Sequence, residues 1–176
     1  MIDILQRVMD EKDFLKKLVE KIPGFKGYVE RSDRRIADKL VRESIADKFD
    51  SLWKKISAIQ RQAISDGNIE IIDDLEAPAL KLRQFVDRIR TASYGYAGFF
   101  DAIKVNTEEL DEIYKYDLAL MAMEEEVNRA IDNVESSMGT DGLPAATRHL
   151  TQLAQECLDG FDMRKEVIVK MAGTQQ

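Results

Sequence analysis

Residues 45–63 read IADKFDSLWKKISAIQRQA and show most clearly that the chain is helical. Its apolar residues recur at alternating intervals of four and three: Ile45, Phe49, Leu52, Ile56, Ile59 and Ala63. This spacing places them on one face of an α-helix and leaves the charged residues on the other faces. The pattern extends back to Ile36, so it predicts a long helix over about 32–65, with Ser32 or Asp33 as its N-cap.

Similar apolar stripes predict helices over most of the chain. Five are expected, over about 2–22, 32–65, 69–93, 107–138 and 144–171. Pro23 and Gly24 should end the first helix, because proline cannot continue the hydrogen-bond ladder. Pro78 falls inside the third stripe, whose rhythm is unbroken. One kinked helix is therefore favoured over a short helix followed by a longer one.

The composition favours an all-α class. Hydrophobic residues make up 44% of the 176 residues and charged residues 34%, with only 9 glycines and 3 prolines. Turn signals at 66–68 and 139–143 predict antiparallel neighbours and so an up-down bundle of long helices. We expect one domain over 1–176, in which the helix over 1–22 packs beside, or caps an end of, a four-helix core over 31–172.

Charge is distributed unevenly along the chain. The net charge is -7, which argues against a general nucleic-acid-binding protein. Residues 1–66 carry 15 basic and 12 acidic side chains, whereas residues 107–142 carry 2 basic and 11 acidic ones. The difference indicates either solvated helix faces of unequal sign, or opposite charges that steer antiparallel packing or form a patch for a partner.

The sequence lacks the usual features of secreted and membrane proteins. The single cysteine, Cys157, cannot form an internal disulfide, and the charged N-terminal stretch does not resemble a signal peptide. No apolar run is long enough to cross a bilayer. These features predict a cytoplasmic protein. Peripheral membrane binding through the first helix is a weaker alternative, because acidic residues offset its basic ones.

Two glycine-aromatic segments carry much of the aromatic content, Pro23-Gly-Phe-Lys-Gly-Tyr28 and Tyr94-Gly-Tyr-Ala-Gly-Phe-Phe100. In an up-down bundle the first precedes helix two and the second follows helix three, so both should lie at one end. The aromatic side chains either plug the core there, form a recognition surface, or line a small-molecule site. The candidate interaction end comprises Phe25, Tyr28, Arg31, Arg34, Arg35, Tyr94, Tyr96, Phe99, Phe100 and Asp117.

Two carboxylates interrupt the apolar row of the fourth predicted helix, Asp117 and Glu124. A buried carboxylate needs a partner, so we expect ion pairs with arginines of helix two, or with Arg88 and Arg90. One arrangement pairs the arginines of the second helix's start with carboxylates near the fourth: Arg31, Arg34, Arg35 and Arg42 with Asp101, Asp111 and Asp117. Alternatively, the row faces solvent at those points.

The sequence contains no recognisable catalytic, cofactor or metal motif. The one histidine, His149, has no glutamate three residues before it, which argues against a di-iron bundle. Cys157 lies in an apolar row and is interpreted as a small buried hydrophobe rather than a nucleophile. Asp73 and Asp74 form an isolated acidic pair. We therefore predict no catalytic residue, no cofactor and no metal.

The runs IPGFKGYVERSDRRIADKLVRE and YGYAGFFDAIKVNTEELDEIYKYDLAL resemble those of an uncharacterised family of bacterial helical proteins. The resemblance implies a bacterial, helical, cytoplasmic protein. It brings no activity, cofactor or catalytic residue.

Function is therefore predicted only as a class. The leading hypothesis is a non-enzymatic protein-interaction or scaffold module, able to self-associate through its long helices or to bind an unknown protein partner. The competing hypothesis places an enzyme or small-molecule pocket at the glycine-aromatic end, with Arg34, Arg35, Tyr94, Tyr96 and Asp117 as its polar groups. A concave cavity with converging charges would favour the pocket, and a filled end with paired charges the scaffold.

Overall fold

The computed structural model describes residues 4–9, 13–30, 34–92 and 107–173. Within those ranges the chain is helical, without a strand, and the all-α class is confirmed. A short 3-10 turn spans Ile4–Val8. Six α-helices follow in the described ranges: α1 Phe14–Lys21, α2 Phe25–Glu30, α3 Arg34–Ser65, α4 Glu70–Thr91, α5 Thr107–Ser137 and α6 Leu143–Gly173.

The N-terminal region differs from the single helix expected over 2–22. α1 begins only at Phe14, because Asp13 caps it by accepting a hydrogen bond from the Lys16 backbone N–H at 3.0 Å. α1 ends at Lys21, and Gly24 then adopts a φ of +81° that L side chains rarely take. The stretch after Gly24, which lies outside the five predicted helices, forms α2.

α4 continues through Pro78 as one helix, so the split alternative is wrong. Pro78 is buried, as are Leu75, Ala79 and Leu82 around it. Burial of this apolar face compensates for the backbone hydrogen bond that proline cannot make.

Ion pairs between α3 and α4 show that the two helices run in opposite directions. Asp47 meets Arg90 at 2.8 Å and Asp50 meets Arg83 at 3.6 Å, so rising numbers on α3 match falling numbers on α4. The turn between them contains Gly67, whose φ is +73°.

α3 also packs against α5, and α6 packs against both α4 and α5. Lys48 pairs with Glu124, and Lys55 with Asp132, so α3 and α5 run in the same direction. Opposite charges thus join α3 to α5, but these two helices are parallel, whereas the charge distribution suggested antiparallel packing. α4 and α6 are also parallel, as shown by two contacts: Lys81–Gln155 and Arg88–Asp162.

The N-terminal elements lie alongside the long helices. The 3-10 turn and α1 pack on α5, and α2 packs on α3. The core is one continuous apolar cluster, in which Phe85 makes edge-to-face contacts with Phe49 and Phe161. None of the described helices is both long enough and apolar enough to traverse a bilayer.

Candidate functional site

Four charged side chains are buried together where α3 begins and α4 ends. They are at most 7% exposed, and we call them the buried ion network: Asp38, Arg42, Asp117 and Arg164. α3 contributes two of them, and α5 and α6 one each. α2, which carries most of the first glycine-aromatic segment, packs on α3, and α4 ends at Thr91, three residues before the second segment begins in the sequence. The network therefore marks the end of the molecule that the sequence singled out.

Arg164 is the centre of the buried ion network. Its Nε donates to Asp117 Oδ1 at 2.7 Å, and its Nη2 donates to Asp117 Oδ2 at 3.2 Å and to Asp38 Oδ1 at 2.6 Å. Arg42 Nε donates to the second oxygen of Asp38 at 2.7 Å. Two carboxylates thus balance two guanidinium groups, and no buried side-chain N or O atom in the described ranges lacks a hydrogen-bond partner.

The network also reaches the backbone of α4. Arg42 Nη1 donates to the Ile89 carbonyl oxygen at 3.1 Å, two residues before the last residue of that helix. Carbonyl groups in a last helical turn have no partner within the helix, so a cation there is favourable. Through Arg42 the network joins all four long helices next to the segment that follows α4.

The two carboxylates of the network differ in pKa. Burial opposes ionisation of Asp38, but the charges of Arg164 and Arg42 outweigh it and lower its pKa below the ordinary 3.8. Asp117 is fully buried and shares Arg164 with Asp38, so burial dominates and raises its pKa above the ordinary value. Burial also disfavours the charged form of Arg164, but the two carboxylates outweigh it and raise its pKa.

The predicted partners of Asp117 need correction. Asp117 is buried, as one alternative held, and among the described side chains it accepts its hydrogen bonds from Arg164 of α6 rather than from Arg42, Arg88 or Arg90. Arg88 pairs instead with Asp162, and Arg90 with Asp47. α5 and α6 are antiparallel neighbours, which brings position 117 to position 164.

The sequence did carry a signal for Arg164. It falls between Phe161 and Ile168 at intervals of three and four, so it occupies an apolar stripe of α6. The same reasoning that singled out Asp117 could have selected it. Glu124, one heptad after Asp117, is only partly buried and lies 3.9 Å from Lys48.

The remaining candidate residues fall into separate groups. Phe25 is buried and contacts Tyr114 edge to face at 5.8 Å, while Tyr28 is half-buried against the core. Arg35 and Asp111 are exposed, and Arg42 belongs to the buried ion network. Outside the described residues or side chains lie the others: Arg31, Arg34, Tyr94, Tyr96, Phe99, Phe100 and Asp101.

An open surface groove of about 840 Å³ runs between α4 and α6, starting near the turns that precede these helices. Asp73, Asp74, Lys81 and Arg148 line it, and the Lys81 Nζ donates to Gln155 Oε1 at 2.6 Å. It therefore lies away from the predicted interaction end. In the part of the chain described, no three histidine, cysteine or carboxylate side chains cluster as a metal site.

Cys157 and His149 occupy different environments on α6. Cys157 is buried, as predicted, with its Sγ 4.0 Å from the Met123 Sδ, whereas His149 is exposed. Burial raises the pKa of the Cys157 thiol, so the reactive thiolate is disfavoured.

Comparisons with protein-family models, curated proteins and solved structures give no significant match. The resemblance to a family of bacterial helical proteins stays a prediction from the sequence.

Proposed function

We propose that the protein is a non-enzymatic interaction or scaffold module, in which α3 to α6 form a rigid up-down bundle core. The observation that carries this proposal is the buried ion network. Its charges neutralise each other and hold the long helices together next to the predicted interaction end. A rigid end of this kind can present flanking segments to a protein partner at low entropic cost.

The same network weighs against the competing pocket at that end. Both oxygens of Asp117 accept hydrogen bonds from Arg164 and the side chain is 1% exposed, so this carboxylate is already paired and is closed to a substrate from solvent. Phe25 fills the core against Tyr114 instead of lining a cavity. Paired charges and a filled core are the features expected of the scaffold rather than of the enzyme.

The acidic surface of α5 adds a second element to the proposal. Lys48 and Lys55 neutralise Glu124 and Asp132 from within the chain. Other carboxylates of α5 are exposed: Glu108, Asp111, Glu125 and Glu135. We assign this acidic surface, together with the glycine-aromatic end, to contacts with a protein partner or a second copy.

The membrane alternative depended on one amphipathic helix over 2–22. That stretch is interrupted, and α1 has only eight residues. A short helix with Leu18 already buried offers little apolar surface to a bilayer, which weighs against this alternative.

Affinity capture tests the proposal with the native chain and a Tyr96→Ala, Phe99→Ala double variant as baits. The matched control is Ile64→Ala, Ile69→Ala, which removes two exposed apolar side chains at the opposite end of α3 and α4. Thermal unfolding verifies that each bait is folded. We expect one protein partner that the native chain and the control retain and the aromatic variant loses.

Two results would contradict the proposal. Partner capture that is unchanged in the folded aromatic variant would remove the glycine-aromatic end from the interface. Unfolding of the aromatic variant would show that these aromatic residues are core. Sedimentation equilibrium of the native chain measures self-association independently of any partner.

A further inference from the structure

The 3-10 turn Ile4–Val8 is bound to the long helices like a short peptide ligand. Ile4 and Val8 are buried, at 0% and 5% exposure. Between them Arg7 reaches carboxylates on two different helices. Its Nε and Nη2 donate to the two oxygens of Glu126 at 2.8 and 3.0 Å, and its Nη2 also donates to Glu156 Oε2 at 2.8 Å.

The surface beneath this turn is shaped for Ile4. A Cβ atom added at Gly160 of α6 would lie 3.1 Å from Ile4 Cγ1 and closer still to Cδ1. Such distances are shorter than ordinary van der Waals contact, so a residue larger than glycine fits there only if the buried Ile4 side chain shifts. Glycine is unfavourable inside a helix compared with alanine, and the contact with Ile4 gives a physical reason for it at this position.

The surface under the turn contacts both Ile4 and Arg7. Gly160 leaves room for the Ile4 side chain. Glu126 and Glu156 accept hydrogen bonds from Arg7. We call these three residues, Gly160, Glu126 and Glu156, the Gly160 groove. Residues three apart lie on the same side of a 3-10 turn, so a segment with isoleucine followed three positions later by arginine matches both parts. Ile4 and Arg7 have this spacing.

We propose that the Gly160 groove also binds the Ile4–Val8 segment of a second copy of this chain. The segment precedes α1 and the long helices in the chain, so its exchange between copies leaves those helices unchanged. Each exchanged segment makes the same contacts in the partner's groove as in its own, which is the condition for domain swapping. The tethered segment acts at a high effective concentration, so exchange depends on protein concentration.

This inference specifies the self-association part of the proposed function and uses other residues than the glycine-aromatic end. Tyr96 and Phe99 are unchanged in its test, so the two ideas fail independently.

Two complementary full-length variants test the exchange. Ile4→Ala, Arg7→Ala weakens the chain's own segment and leaves the groove intact. Gly160→Ala crowds the position of Ile4 and should weaken the groove's hold on a segment that is itself intact. Sedimentation velocity should show each variant as a monomer alone and a one-to-one complex when they are mixed. A control mixture, in which the first variant also carries Gly160→Ala, should show no complex.

A fluorescent peptide of residues 1–9 keeps the proposal testable if the Gly160→Ala chain does not fold. It should bind the Ile4→Ala, Arg7→Ala chain saturably, and Arg7→Ala within the peptide should weaken binding by about tenfold or more, as expected for lost charge-assisted hydrogen bonds. The triple variant Ile4→Ala, Arg7→Ala, Gly160→Ala has no isoleucine at position 4 to overlap with the new Cβ at position 160, so it should fold. It should not bind the peptide, because the peptide still carries Ile4. Absence of saturable peptide binding, or equal binding by the triple variant, would overturn the proposal.

Discussion

Arg164 of α6 and Asp117 of α5 form a two-bond ion pair in the core, with side chains that are each 1% exposed. Neither charge reaches water, so each depends on the other and on Asp38 for compensation. The pair joins antiparallel helices near the beginning of α3 and the end of α4. Its energetics therefore link the stability of the core to the predicted interaction end.

Replacing Arg164 by methionine should destabilise the fold by about 3–5 kcal/mol, because Asp117 would be left buried without a cation. Urea denaturation measures this loss. Arg88→Met is the matched control, since its pair with Asp162 is largely exposed and should contribute less than about 1 kcal/mol. A loss of similar size in both variants would contradict the assigned role of the network. Adding Asp117→Asn to Arg164→Met should recover part of the stability, because the uncompensated charge is removed.

The two carboxylates of the network should titrate on opposite sides of the ordinary value of 3.8. Asp38 has a lowered pKa, so its stabilising contribution is complete above 3.8 and is lost as the pH falls through the lower folded value. Asp117 has a raised pKa, so its contribution is most favourable below 3.8 and decreases as the pH rises through the folded value. Carbon-13 NMR of the side-chain carboxyls measures both. The reverse order of midpoints would refute the assignment.

Gly160→Ala should destabilise the native chain, although alanine is the better helix former by about 1 kcal/mol. The reason is overlap of the new Cβ with Ile4. In the Ile4→Ala background the same substitution should stabilise, since alanine lacks all three overlapping atoms. A double-mutant cycle by chemical denaturation measures this change of sign. Gly142→Ala serves as the control, because a Cβ there meets its nearest atom, Thr140 Oγ1, at 3.5 Å. Additive effects at positions 4 and 160 would rule out the contact.

The Cys157 thiol should report on the Ile4–Val8 turn. Cys157 lies on α6 directly after Glu156 and three residues before Gly160, both of which contact the turn. In the native chain burial suppresses both access and thiolate formation, so reaction with DTNB should be slow. Ile4→Ala, Arg7→Ala should accelerate it by about tenfold or more through local opening. Arg88→Ala, a change on α4, should leave the rate unaltered. No acceleration in the double variant would show that the turn does not protect this face.

Local patterns in the sequence predicted much of the fold. The stripe over 45–63 became the buried face of α3, and the turn signals correspond to Gly67 and Gly139, both with positive φ. Pro78 did not end α4, because the apolar residues on both sides of it are buried, and their burial offsets the lost backbone hydrogen bond. The prediction of one helix over 2–22 was wrong, because the Asp13 side chain caps the start of α1 instead of continuing a helix from the preceding residues. The spacing of apolar residues alone does not reveal such a cap.

For the candidate site, the sequence predicted that Asp117 is buried but not which residue compensates it. Periodicity assigns a residue to a face of its own helix, and it contains no information on which helix lies opposite. The partnership with Arg164 arises because α6 packs against α5 and places Arg164 at that position. The contacts of Arg7 and of Gly160 likewise depend on the packing of the Ile4–Val8 turn against α5 and α6.

The helical class, the long apolar stripes and the glycine turns follow from the sequence, because they depend on interactions between residues a few positions apart. Which helices are neighbours is a property of the assembled chain: α3 lies beside α4 and α5, and α6 lies beside α4 and α5. It also decided that Arg164 lies between Asp38 and Asp117. Those choices depend on side chains far apart in the chain, whose packing and charge compensation exist only once the helices have assembled.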